Sequence, residues 1–223
     1  MTERPIIFSG PMIRAILDGT KRQTRRVFKE AKPNWRLMTP EEWMAATPNR
    51  PAIGGYPKPP KFPALMWDGR GGVAYASPYG VPGDRLWVRE TGWERPERTR
   101  RMMLEGADTW EPYYYDADGL DEQDHEQFKS WGFKRRPAIF MPRLASRITL
   151  EVVSVRVERL QEISEDDAIA EGLQGNVDAN RGDKSAAIRA FRAVWDSINA
   201  KRGYGWEANP FVWVLHFNVK NHI

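Results

Sequence analysis

Few residues in this chain can do chemistry. There is no cysteine and there are three histidines, His125, His216 and His222. Thiolate nucleophiles, disulfides and zinc-thiolate sites are therefore excluded together, and a histidine-rich metal site is disfavoured. The run Gly69-Arg70-Gly71-Gly72 has neither a strand signal before it nor a helix signal after it, so it is no phosphate loop. No nucleophile elbow is present, and no carboxylate and histidine positions have metal-ligand spacing. What remains is a lysine, Lys21, a threonine three residues on, Thr24, and a distant carboxylate, Glu171. Lys21 follows a helix C-terminus, where a cation is welcome, and taken alone it is an ordinary helix-end lysine. Thr24 taken alone is a strand threonine. Glu171 sits at the carbonyl-rich end of a helix, where a carboxylate is unfavourable by a few tenths to about 1 kcal/mol. Either water screens it there or a cation offsets it.

The elements that must position these residues can be read from patterning. Ser9 to Asp18 predicts a short helix, with Ser9 at the N-cap, Pro11 in the first turn and Met12, Ile13, Ile16 and Leu17 on one face. Gly19 ends it, and the polar run Thr20 to Val27 reads as the edge of the first strand. Lys32 to Pro63 holds 8 of the 17 prolines and reads as a long surface loop without regular structure, pinned by Trp35, Trp43 and Trp67. Pro82-Gly83-Asp84 predicts a turn and Leu86-Trp87-Val88 a strand. Thr91 to Pro137 turns strongly charged and aromatic and reads as an insertion, with Tyr113-Tyr114-Tyr115 as a short strand. Ser146 to Val157 is the longest strand signal, with a shift of phase at Val152-Val153. Ser164 caps a helix through Glu165, Asp166 and Asp167 that Gly172 ends. Lys184 to Ala200 predicts an amphipathic helix with Ile188, Phe191, Val194, Trp195 and Ile198 as its stripe. Phe211 to Val219 is a closing strand.

The chain has 223 residues, 41% hydrophobic and 29% charged, which predicts a soluble globular protein. No stretch approaches the roughly 20 apolar residues of a membrane span. Met1 to Gly10 shows no apolar signal region, so the cytoplasm is the expected compartment. The net charge of +4 is unevenly placed: Met1 to Arg36 carries 9 basic and 3 acidic residues, and Glu105 to Glu126 carries 9 acidic residues and no basic one. A basic stripe beside an acidic insert suits a polyanionic or nucleotide ligand, and equally describes a solvated surface with patchy charge.

Gly19-Thr20-Lys21-Arg22-Gln23-Thr24-Arg25-Arg26 resembles the signature of ASCH-domain proteins in the PUA-like superfamily, Gly-x-Lys-x-x-(Glu or Thr)-x-Arg after a first helix. Gly19, Lys21, Thr24 and Arg26 fill it. The segments Gly83 to Val88, Leu160 to Gly172 and Phe211 to Phe217 fit the same family. The chain is also similar to the larger ASCH proteins common in phages and prophages, through residues 82–90, 141–152, 163–172 and 209–217. The resemblance implies an α+β fold: one PUA-like ASCH domain over residues 1–223, a small mixed β-barrel with flanking helices, with insertions at about 32–63 and 91–137.

Within that family, a bacterial branch is an N4-acetylcytidine amidohydrolase. Its resemblance implies catalytic roles for Lys21, Thr24 and Glu171, with no cofactor and no metal. Arg25 departs from the apolar residue found at its position. The implied chemistry is removal of an acyl group from the exocyclic amine of N4-acetylcytidine or a related modified nucleoside. Lysine attacks or takes a proton only if burial or cations such as Arg22, Arg25 or Arg26 lower its pKa. Pairing with Glu171 raises it, and the sequence does not decide between them. Glu171 holds the lysine and shuttles its proton, and Thr24 orients the amine or donates to the oxyanion. Arg26, Arg85, Trp87, Arg143, Ser146 and Arg147 are the expected substrate-binding residues, with Trp87 stacking a base or, alternatively, filling the core. The other readings are an RNA or modified-base binding module without catalysis, and an ASCH-type ribonuclease. The expected partner is a modified nucleoside or RNA, not a membrane.

Overall fold

The computed structural model of the chain describes residues 1–39, 42, 64–67, 72–95, 111–173 and 186–222. In chain order the elements are β1 Glu3–Ile7, α1 Gly10–Leu17, β2 Gln23–Val27, β3 Arg36–Leu37, β4 Ala64–Trp67, β5 Gly72–Tyr75, β6 Arg85–Arg89, β7 Gly92–Glu94, β8 Tyr113–Tyr115, α2 Glu122–Ser130, β9 Lys134–Arg136, β10 Ile148–Arg159, α3 Glu165–Ala170, α4 Ala186–Asn199 and β11 Phe211–His222. The content is mixed helix and sheet. The strand orders are β1-β6-β10-β11-β2, β3-β4-β5 and β8-β7-β9. These are open sheets, so the closed barrel expected from the sequence resemblance is not formed by the described strands. The five-stranded order ends at β1 and β2, each with one neighbour. Pro5 suits β1 to that place, because a residue without an N–H is tolerated at a sheet edge. β1 leaves little signal in the sequence, being five residues broken by a proline.

The described residues group into two compact units. The first comprises Met1–Thr2, Thr20–Arg85 and Glu151–Asn218. In it β2 pairs antiparallel with β11, from Val27 opposite Val212 to Gln23 opposite His216. A core of Leu160, Ile163, Ala168, Ala187, Phe191, Trp195, Val212 and Val214 lies under α3 and α4. The buried face of α4 is Ala187, Phe191, Trp195 and Asn199. Ile198, placed on the apolar stripe by spacing, is 48% exposed. By spacing Ile198, seven residues after Phe191, falls on the same face, and it is exposed in the last turn, next to the helix end at Asn199. The proline-rich segment is not wholly irregular: Arg36 and Leu37 form β3, opposite Trp67 and Met66 of β4. They lie between Pro33 and Pro40, where no proline removes a ladder donor. Trp35 lies 5.9 Å from the Tyr75 ring, as pinning of the loop requires. Trp43 lies outside the described residues.

The second unit comprises Glu3–Gly19, Leu86–Leu150 and Val219–Ile223. Helix α1 buries Ile13 and Ile16, and Ser9 occupies its N-cap without a side-chain hydrogen bond. The expected strand at the three tyrosines is β8, and β7 pairs with both β8 and β9. Helix α2 was not anticipated, although its signal is local: the Asp121 side chain accepts from the Asp124 amide and the Asp124 side chain accepts from the Asp121 amide. It covers a small core of Trp93, Phe128 and Phe133. The long strand β10 passes from this unit to the first at Leu150–Glu151. Its buried positions change parity as the sequence suggests, from Ile148, Leu150 and Val152 to Val157, with Val153 exposed.

Candidate functional site

Lys21 is delivered by the turn that ends α1. Gly19 takes φ of 71°, a left-handed value that stops the helix at little cost for glycine. Lys21 then forms an isolated antiparallel bridge with Glu171. The next residue is pinned on both sides: Arg22 N–H donates to Ala170 O at 2.8 Å, and Phe217 N–H donates to Arg22 O at 3.0 Å. Glu171 is delivered by α3, six residues long, whose first turn is fixed by the Asp167 N–H donating to Ser164 Oγ at 3.1 Å. Glu171 is its C-cap, and Gly172 follows at φ of 90°.

The two side chains meet inside the first unit. Lys21 Nζ donates to Glu171 Oε2 at 2.6 Å and to Glu171 O at 2.9 Å. One ammonium thus answers both the carboxylate and a carbonyl at the helix end. Of the two possibilities for an acidic residue at that pole, the cation offsets it. Lys21 is fully buried and Glu171 is 8% exposed. Burial pulls the Lys21 pKa below its ordinary 10.5; the charge and hydrogen bond of Glu171 oppose this, and the guanidinium charges of Arg26 and Arg25 add to the lowering. The competition left open by the sequence is decided for burial, which leaves the Lys21 pKa lowered despite the Glu171 partner.

Thr24 is buried in β2, opposite Leu215 of β11. Strand alternation puts Thr24 and Arg26 on one face and Gln23 and Arg25 on the other. Burial also pulls the Arg26 guanidinium down, opposed by Tyr79 and Glu171. The Tyr79 phenol is pushed up by burial, opposed by Arg26. Arg85 also belongs to the first unit; its Nε is buried and has no hydrogen-bond partner among the described residues.

Arg25, which the motif does not include, is the residue that sequence reasoning undervalued. Its side chain is fully buried. Nη1 donates to Glu171 Oε1 at 3.4 Å, Nη2 to Glu158 Oε1 at 2.6 Å and to Asp167 Oδ2 at 2.9 Å, and Nε to Glu158 Oε1 at 3.1 Å. Its guanidinium carbon lies 5.7 Å from the centre of the Phe191 ring. Arg156 donates to Glu158 and to Asp167 at 2.9 and 3.0 Å. Burial pushes the Asp167 carboxyl up, but Arg25, Arg156 and Gln23 outweigh it and hold it below its ordinary value. His216, half-buried beside the network, is lowered by burial and by Arg156. The available signal was an arginine at an inward position of a strand, which demands carboxylates.

The other expected substrate-binding residues belong to the second unit. Trp87 is 8% exposed, with the Arg89 guanidinium 4.6 Å and that of Arg143 5.9 Å from its ring centre. Arg143 Nε donates to Glu3 at 3.1 Å and Ser146 Oγ to Val88 O at 2.8 Å. Arg147 donates through Nε and Nη2 to Glu90 at 3.1 and 2.9 Å, and through Nη1 and Nη2 to Asp118 at 3.0 and 2.6 Å. It also lies 3.9 Å over the Tyr115 ring. Four of its donor bonds go to carboxylates. Glu90 is fully buried; burial pushes its carboxyl up and Arg147 pulls it back.

Among the described residues, no group of three or more His, Asp or Glu is placed to hold a metal ion. No described helix is long and apolar enough to cross a membrane. The chain matches no protein-family model, and no curated protein matches it. A solved structure that it resembles is the high-resolution crystal structure of an ASCH domain from Lactobacillus crispatus JV V101. The identity is 15%, the TM-score 0.37, and the alignment covers 99% of this chain and 81% of that one.

Proposed function

We propose that the Lys21–Glu171 site, with Thr24, is hydrolytic and removes an acyl group from the exocyclic amine of N4-acetylcytidine or a related modified nucleoside. One observation supports this reading above the others: a fully buried lysine 2.6 Å from a carboxylate, with its pKa lowered. A buried ion pair contributes little to stability against an apolar substitute, while a lysine brought toward neutrality is a usable base. The carry-over of roles rests on the motif Gly19, Lys21, Thr24, Arg26, and the reading takes the chain as one ASCH-type domain with two insertions.

In the proposed reaction the neutral Lys21 amine takes a proton as water oxygen bonds to the acyl carbon. The carbonyl electron pair moves to oxygen, and the Thr24 hydroxyl is assigned to that oxyanion. Collapse breaks the C–N4 bond, and the Lys21 ammonium returns its proton to the departing amine, leaving cytidine and acetate. Glu171 holds the ammonium while it is charged. Arg26 and Arg85, the two expected substrate-binding arginines that lie in the same unit, are assigned to the substrate. Incubation with N4-acetylcytidine, followed by chromatography, gives cytidine on this reading. Binding of an oligonucleotide with no cytidine released favours instead an RNA or modified-base binding module.

A further inference from the structure

We propose that Arg25 is a positioning residue for the Lys21–Glu171 pair, fixing the carboxylate through the oxygen that Lys21 does not use. The proposal rests on the hydrolytic reading of that site. Glu171 divides its two oxygens: Oε2 goes to Lys21 at 2.6 Å and Oε1 to Arg25 at 3.4 Å. Arg25 is in turn anchored on two other elements, Glu158 of β10 and Asp167 of α3. A planar fork can hold three carboxylates in one geometry; a lysine at that position offers a point charge and cannot. Asp167 stands in the first turn of the short α3 and Glu171, its C-cap, one turn on, so one guanidinium grips successive turns of the helix that presents Glu171. Breaking a buried ion pair on one side is costly, which keeps the fork in place.

The consequence for Lys21 follows from charge. Lys21 is faced by Glu171 from the end of α3 and by Arg25 and Arg26 from β2. Around Arg25 lie Glu158 and Arg156 of β10, Asp167 of α3 and His216 of β11. The Arg25 charge opposes protonation of Lys21, and its hold on Oε1 keeps part of the Glu171 charge from the ammonium. Removing Arg25 therefore raises the pH at which Lys21 titrates.

The test reads Lys21 directly. Protein with 13C-labelled lysine is titrated by NMR, and the Lys21 signal is assigned by its absence in Lys21→Arg. In Arg25→Gln the midpoint is expected to rise by about one pH unit, a tenfold change in the ratio of charged to neutral amine. In Arg25→Lys, which keeps the cation but not the fork, it is expected to rise by less than in Arg25→Gln; a midpoint equal to the parent's shows charge alone and overturns the positioning role. An unchanged midpoint in folded Arg25→Gln overturns the proposal. Should Arg25→Gln fail to fold, Glu158→Gln reads the same coupling. It removes the carboxylate facing Nε and Nη2, the latter keeping Asp167, leaves the guanidinium charge less compensated beside Lys21, and lowers the midpoint; no change there also overturns the proposal. The midpoint does not depend on turnover, so a protein that fails to hydrolyse N4-acetylcytidine but shows these shifts refutes the hydrolytic reading and leaves the positioning role standing.

Discussion

Replacing Lys21 by methionine keeps the volume of the side chain and removes its charge. Two opposing quantities set the outcome. The variant loses two charge-assisted hydrogen bonds, those to Glu171 Oε2 and Glu171 O, each worth about 1.5–3 kcal/mol. Against that, the variant no longer takes an ammonium out of water, a cost of several kcal/mol in a protein interior. Glu171 is also not stranded, because Arg25 remains 3.4 Å from Oε1. Since burial prevails in lowering the lysine pKa, the two quantities nearly cancel. The variant is expected within about 2 kcal/mol of the parent at pH 7, not the 3–5 kcal/mol lost when a buried charge is left alone. In a chain of this size that is a shift in Tm of roughly 4–8 °C at most. The pH dependence is the sharper readout. Folded Lys21 releases its proton at a lower pH than unfolded Lys21, so between its lowered value and about 10.4 the unfolded chain binds more protons. Parent stability, relative to the variant, therefore rises with pH across that window, by about 1.4 kcal/mol for each unit of lowering. Urea unfolding of both proteins at pH 7 and pH 9.5 measures it. A variant more than 4 kcal/mol less stable at pH 7, or a parent whose advantage shrinks with rising pH, refutes the reasoning.

Three further outcomes are expected. Glu171→Gln keeps the fold, since Glu171 closes a six-residue helix and Arg25 keeps a polar partner at that position; turnover of N4-acetylcytidine falls at least tenfold, and an undiminished rate removes Glu171 from the mechanism. Arg147→Gln leaves the fully buried Glu90 without its cation; thermal unfolding is expected to show a loss of about 3–5 kcal/mol, whereas a purely ligand-facing arginine shows almost none. Gly92→Ala drives a methyl group into the Tyr114 carbonyl oxygen and the Tyr113 ring; a folded variant with unchanged Tm contradicts that packing.

Much of the candidate site was legible because its determinants are local. The glycine stop at Gly19, the Ser164 cap and the left-handed Gly172 are signalled within a few residues, and they place Lys21 and Glu171 at the ends of two short helices. Their meeting is not local: 150 residues separate them, and the motif resemblance supplied the pairing. Arg25 was undervalued for the same reason, since Glu158, Asp167 and Glu171 reach it only through folding. Arg147 illustrates the reverse limit: a basic residue in a basic stretch gives no sign that Glu90 and Asp118 take its donors. In the fold, β1 escaped because Pro5 interrupts it, and α2 because Glu105 to Glu126 reads as charge before it reads as Asp121 capping a helix. On α4 the spacing rightly puts Ile198 on the face of Phe191, but it lies in the last turn, where spacing does not report that the core has ended.

The most direct measurement compares the parent with Lys21→Arg on N4-acetylcytidine, with cytidine followed by chromatography and nucleoside affinity by calorimetry. A guanidinium keeps the positive charge but does not deprotonate near neutral pH. The expected result is cytidine from the parent and none from Lys21→Arg, with the two affinities within about tenfold, or 1.4 kcal/mol. Equal cytidine release by both proteins, or none from the parent, contradicts a hydrolytic role for Lys21.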